Sequence, residues 1–147
     1  MSVICPTKVG EVYIAKTQKQ YAIPLYSCAI SAGFPSPADE YLEGKLDLNQ
    51  HLIHNPLATY FVRVSGESMI GAGIHPGDLL IVDRAIEARD GKIVIAVVDA
   101  ELLVKRLKLR GNQPYLVAEH PDYPELKITE AMSFQIWGVV TSVIHSL

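Results

Sequence analysis

The stretch Ile93-Val-Ile-Ala-Val-Val-Asp-Ala-Glu-Leu-Leu-Val-Lys-Arg-Leu-Lys-Leu-Arg110 decides the fold class. Its first six residues are short, apolar and mostly β-branched, the signature of a strand. Asp99-Ala100 then interrupts, and a second strand-like run follows over Leu102 to Leu109. Two such runs on either side of a two-residue turn predict a tight hairpin. Moving outward, Thr59 to Val64, Leu79 to Val82, Tyr115 to Ala118 and Phe134 to Ile144 read the same way. Pro76-Gly77-Asp78, Asp90-Gly91 and Gly111-Asn112 punctuate them as turns. Many short strands closed by Gly, Pro and Asp turns predict a mainly β domain, barrel-like or a sandwich.

The first 57 residues are different. They hold five of the nine prolines, at positions 6, 24, 35, 37 and 56, and little strand-like alternation. Ser36-Pro37-Ala38-Asp39 reads as a helix start, with Ser at the cap, Pro in the first turn and an acid three residues after the cap. A second short helix fits Asp47 to His54, with Leu48 and Leu52 on one face and Pro56 stopping it. The first thirty-odd residues read as an extended or loosely held arm.

Composition narrows the function classes. The chain has 147 residues, enough for one core, and 49% are hydrophobic while only 20% are charged. That apolar share excludes a disordered chain. Thirteen Lys and Arg against 16 Asp and Glu give a net charge of −3, so no basic footprint for nucleic acid is present. A membrane span is excluded as well. The longest unbroken apolar stretch, Ile93 to Val98, is six residues, where a spanning helix needs about 20. No secretory signal opens the chain. Cys5 and Cys28 lack CxxC spacing or a His partner and read as free thiols of a reducing cytosol. His51 and His54 are spaced i, i+3 on the expected helix, but without a third ligand nearby no metal site and no cofactor are expected.

Two positions suggest chemistry. In Ser65-Gly66-Glu67-Ser68-Met69-Ile70 a strand runs into a Gly and a possible helical turn. A serine there is lifted clear of the sheet, with backbone N–H groups nearby to hold an oxyanion. Taken alone, Ser68 reads more simply as a turn serine that caps a helix. In the strand Glu101 to Arg110, alternation puts Leu103, Lys105, Leu107 and Leu109 on one side and Arg106, Lys108 and Arg110 on the other. Lys105 therefore sits among leucines, where burial disfavours the ammonium and suits a general base. The competing reading is a lysine that snorkels to water from a strand edge. A serine with a neutral lysine is a known variant of the Ser-His-Asp scheme.

These residues carry a family resemblance. Phe61-Val-Arg-Val-Ser-Gly-Glu-Ser-Met-Ile70, Gly77-Asp-Leu-Leu-Ile-Val-Asp83 and Val104-Lys-Arg-Leu107 resemble the LexA/UmuD family of self-cleaving serine peptidases. The 37 residues from Ser68 to Lys105 match the family's spacing. The likeness continues through Gly33-Phe-Pro-Ser-Pro-Ala38, Leu46-Asp-Leu-Asn-Gln50 and Phe134 to Val140, so it covers roughly residues 22 to 145. It is closer to UmuD than to LexA, because the 32 residues before the candidate cleavage site are too few for a DNA-binding helix-turn-helix domain.

The resemblance implies a LexA/UmuD-like β peptidase domain over residues 33–147 and a flexible N-terminal arm, residues 1–32, removed by self-cleavage at Ala32-Gly33. UmuD-like chains often carry Cys where Ala32 stands; LexA carries Ala. Ser68 would be the nucleophile, Lys105 the general base and acid, and the backbone N–H groups of Glu67 and Ser68 the oxyanion donors. The implied partners are a second copy of the chain, a RecA filament on single-stranded DNA that promotes cleavage, and a UmuC-like translesion polymerase of the Y family. The implied setting is SOS mutagenesis in the cytoplasm, with no direct sequence-specific DNA binding.

The same residues admit three other readings. A signal-peptidase-like enzyme would share the serine-lysine pair but needs a membrane anchor. A repressor needs a DNA-binding head. An inert β interaction module would place Lys105 in solvent, far from Ser68. Asp39-Glu40 and Asp122 to Glu125 read as solvated acids. Tyr41, Tyr60 and Tyr123 read as packing residues rather than a base-stacking platform.

Overall fold

The computed structural model describes residues 2–4, 11–14, 22–26 and 42–147. Along the chain the strands are β1 (Ser2–Ile4), β2 (Glu11–Ile14), β3 (Ala22–Tyr26) and β4 (Leu42–Asp47). After helix α1 (Leu48–Leu52) come β5 (Thr59–Arg63), β6 (Leu79–Asp83), β7 (Ile93–Val98) and β8 (Glu101–Arg110). The chain continues through β9 (Gln113–Val117), β10 (Leu126–Lys127) and β11 (Phe134–Ile144). The mainly β expectation holds, and each strand expected from Thr59 onward forms within a residue or two of its sequence signal. The two-residue β10 had no such signal.

Two units divide the chain: residues 1–16 with 55–147, and residues 17–54. The larger contains an antiparallel sheet of nine strands in the order β1-β2-β5-β6-β11-β7-β8-β9-β10. Strands β7 to β10 are consecutive neighbours, and β11 returns between β6 and β7 to join the two halves. Segments 2–4 and 11–14, read from sequence as part of an extended arm, are strands here, and Val12 pairs with Val62 of β5.

The apolar runs explain why the central strands lie in the middle. Side chains alternate across a sheet, and here both alternating sets are buried. Val62, Leu80, Val82, Ile95, Leu102 and Val104 join one cluster. Val94, Ala96, Leu103, Leu107, Leu116 and Val139 join the other. Each Val, Leu or Ile among them contributes about 1.5–3 kcal/mol when removed from water. The alternation read in β8 is thereby refined. Leu103 and Leu107 do share a face, but the opposite face is also apolar near its start, and only from Arg106 onward is it polar.

The expected hairpin between β7 and β8 forms, pairing Val98 with Glu101. Its turn residues Asp99 and Ala100 have φ of 47° and 67°. Positive φ at both positions is the type I′ geometry, whose twist matches the flanking strands. Ala100 accepts that conformation against its preference, at about 1–2 kcal/mol. Asp99 is clamped: its N–H donates to Ser133 O and its Oδ1 accepts from Ser133 N, both at 2.9 Å.

In the smaller unit, β3 and β4 pair antiparallel from Ala22 with Asp47 to Tyr26 with Leu42. Asp47 ends β4 and caps α1, its Oδ1 accepting from Asn49 N at 2.9 Å. The helix expected over 47–54 is thus a single turn that stops at Leu52, and His51 and His54 do not share it. The helix start expected at Ser36, the Ala32-Gly33 bond, Tyr41 and both cysteines lie outside the described residues. Among the described residues no helix is long and apolar enough to cross a membrane.

Candidate active site

The connection from β5 to β6 builds the site's first wall. After Arg63 the chain leaves the sheet, and Gly66 takes φ +92°, a left-handed conformation that suits glycine. Met69 then plunges into the core at 1% exposure. A 3-10 turn, Ile70–Ala72, follows, closed by Ala72 N donating to Met69 O at 3.0 Å and Gly73 N to Ile70 O at 2.9 Å. With Met69 pinned inward, its neighbour Ser68 is half-buried and faces a cleft.

That cleft has a volume of about 260 Å³. Ser65, Gly66, Glu67 and Ser68 line one side, and Leu103, Val104 and Lys105 of β8 line another. Tyr123, from the loop after β9, completes it. Ser68 and Lys105, 37 residues apart in sequence, therefore open into one cavity. Lys105 is half-buried between Leu103 and Leu107, two core residues on its own face of β8. Lys105 is thus not the fully solvated lysine that the inert-module reading expects.

Two contacts hold the walls together. Gly71 N donates to Glu119 O at 2.8 Å, tying the Ser68 turn to the loop that carries Tyr123. A Cβ on Gly71 would lie 2.7 Å from that same carbonyl oxygen, so only glycine permits this approach. On the far face of β8, Arg106 forms an ion pair with Glu119 and donates to Gly91 O at 2.6 Å. Adjacent residues of one strand thus divide the work: Arg106 braces the loop while Lys105 lines the cleft.

Tyr123 was read from sequence as a packing residue, and its place corrects that. Its ring centroid lies 5.3 Å from Lys105 Nζ, within cation–π range. His120 meets the ring edge-on, centroids 5.1 Å apart at 89°. No local pattern signals this role, because Tyr123 reaches the cleft only through the loop's path. Tyr60, by contrast, is a core residue as expected. Asp122 is 85% exposed, in keeping with a solvated acid, while Glu125 pairs with Arg110 at 2.8 Å.

Among the described residues, ligand-type atoms of His75, Asp78 and His145 lie within 4.8 Å of one another. They lie outside the set that lines the cleft. His51 and His54, the pair weighed from sequence, are not in such a group.

Known proteins resemble this chain over most of its length. A family model described as Peptidase S24-like matches residues 24–141. Protein ImpA of Salmonella typhimurium is 50% identical over 125 residues, 85% of either chain. Protein MucA of Escherichia coli is 48% identical over 128 residues, 86% of this chain and 85% of its own. The LexA repressor of Dechloromonas aromatica is 41% identical over 128 residues, covering 86% of this chain and 63% of the repressor.

Proposed function

The chain belongs to the S24-like peptidase family, and we propose that it is a UmuD-type member, a serine endopeptidase that cuts its own Ala32-Gly33 bond. The observation that carries this reading is the shared cleft of Ser68 and Lys105. Neutral Lys105 Nζ takes the proton of Ser68 Oγ as the oxygen attacks the Ala32 carbonyl carbon. The backbone N–H groups of Glu67 and Ser68 hold the oxyanion. The C–N bond then breaks, Lys105 returns the proton to the Gly33 amine, and water hydrolyses the Ser68 ester. The products are residues 1–32 and 33–147. Tethering of the arm supplies a high effective concentration of the scissile bond, and the small side chains of Ala32 and Gly33 let the backbone approach closely.

The family resemblance supports the rest of the proposal. A RecA filament on single-stranded DNA favours the cleavable arrangement of the arm by binding it better than the other, a population shift. The trimmed chain acts as a cytoplasmic homodimer alongside a UmuC-like Y-family polymerase in SOS mutagenesis. The apolar share of the sequence fits a chain that spends surface on partners.

The test is self-cleavage of the purified full chain, followed by mass spectrometry. Cleavage at Ala32-Gly33 is expected to accelerate from about pH 7 to about pH 10, because the working lysine is the neutral form. Ser68→Ala and Lys105→Ala should each abolish it, and a RecA filament on single-stranded DNA should accelerate it near neutral pH. A rate flat across that range, or unchanged in Ser68→Ala, overturns the proposal.

A further inference from the structure

We propose that His75, Asp78 and His145 form a binding site for a divalent transition-metal ion of the zinc class. The site follows from register. Strand β11 pairs with β6 so that Ile144 lies opposite Leu79. The next residue on one strand, His145, thereby comes beside the preceding residue on the other, Asp78. The turn His75-Pro76-Gly77-Asp78 supplies the second imidazole. Gly77 adopts φ +88° there, and His75 N donates to Asp78 Oδ2 at 2.8 Å.

The donors converge on the carboxylate. His145 Nδ1 is 2.5 Å from Asp78 Oδ1, and His75 Nδ1 is 3.7 Å from Asp78 Oδ2. The two imidazole rings are tilted by 45° to each other, with centroids 5.1 Å apart. A tetrahedral ion about 2.1 Å from its ligands spaces them about 3.4 Å apart. The observed separations bracket that value, and shifts of about an ångström in the two half-exposed imidazoles would reach it. His75 Nδ1 is itself shielded from solvent and has no hydrogen-bond partner among the described residues.

The donor chemistry selects the metal. Two imidazoles and a carboxylate suit zinc, nickel or copper, whereas calcium and magnesium want oxygen alone. Asp78 is 2% exposed and already fixed in place. Its two oxygens meet the His75 N–H and His145 Nδ1, which hold the carboxylate in the site. The half-exposed imidazoles leave the outer side open for water as a further ligand. A bound ion would fasten the end of β11 to the turn that follows the candidate nucleophile's loop.

The test is titration of the full chain carrying Cys5→Ser and Cys28→Ser with zinc chloride, read by calorimetry. One ion per chain is expected, and His75→Ala or His145→Ala should weaken binding at least about tenfold. Replacing His51 and His54 together by Ala should leave it intact. Amide hydrogen exchange over Ser142 to Ile144 should slow when zinc is added. A chain that takes up no zinc, or a titration that both His75→Ala and His145→Ala leave unchanged, overturns the proposal.

Discussion

The connection between β5 and β6 carries two polar sites of opposite construction, and they share one support. At its start, Ser68 stands half-buried at an open cleft, with Lys105 and Tyr123 across from it. At its end, Asp78 is buried, and its two oxygens accept from His75 N and meet His145 Nδ1. Between them Met69 and Ile74 are anchored in the core, at 1% and 2% exposure. A further pair of backbone bonds, Val64 N to Asp78 O at 2.9 Å and Gly77 N to Val64 O at 2.8 Å, staples the two ends together. The comparison teaches that both sites draw rigidity from the same buried side chains, but only one spends its polar groups on the fold. The serine end keeps space beside its hydroxyl; at the aspartate end both carboxylate oxygens are engaged within the fold.

Substitutions can break this contrast in order of size. Met69→Ala should cost about 2–5 kcal/mol in chemical denaturation, because a fully buried side chain leaves a cavity. Ser68→Ala, one residue away, should change stability by no more than about 0.5 kcal/mol while abolishing cleavage. Asp78→Asn should cost about 1–3 kcal/mol, since the imidazole and the His75 N–H lose a charged acceptor. Equal stability losses for Ser68→Ala and Asp78→Asn would erase the distinction between the two ends.

Gly71→Ala should likewise cost about 1–3 kcal/mol, because its Cβ meets backbone and not a yielding side chain. It should also slow cleavage by displacing the Ser68 turn from the Tyr123 loop; a variant cleaving at the native rate would disconnect the two walls. Tyr123→Leu removes an aromatic face worth about 0.5–1 kcal/mol to the lysine ammonium. That contact favours the charged form, so the variant's cleavage profile should move toward lower pH; an identical profile would deny the ring any influence on Lys105.

The smallest effect is expected at the exposed Arg110–Glu125 pair. The Arg110 hydrogen bonds hold the Glu125 carboxyl below the usual carboxylate range, against an opposing effect of desolvation. A folded-state value below the unfolded one stabilises at higher pH and loses that contribution as pH falls through the folded value. Being exposed, the pair is screened by salt. A carboxyl titration by nuclear magnetic resonance should show Glu125 returning to the ordinary range in Arg110→Ala, with stability almost unmoved.

What could be read in advance was whatever depends on near neighbours. The runs around Val94 and Leu103 named their strands because β-branched and apolar residues were consecutive. Lys105 stood out because its own alternation placed it among leucines. Asp99-Ala100 gave the hairpin. Strands β3 and β4 escaped notice because Pro24 and Gly44 dilute their signal, and because they pair across a long separation. His145 and Asp78 are 67 positions apart, so their meeting depends on the β6–β11 register, which no local pattern encodes. Tyr123 was hidden for a related reason: a loop residue's direction follows from anchors elsewhere, here Gly71 on Glu119.

The two-residue turn at Asp99-Ala100 also makes the position of the amine a matter of parity. Since neighbouring residues of β8 address opposite layers, deleting one residue from that turn with the β7 pairing frame kept would bring Arg106 to the place of Lys105 at the cleft. A guanidinium that never gives up its proton would then occupy the place of the base. A change of two would restore the face but carry the amine about 6.6 Å along the strand. The length of this turn is thus part of the site, although neither of its residues lines the cleft.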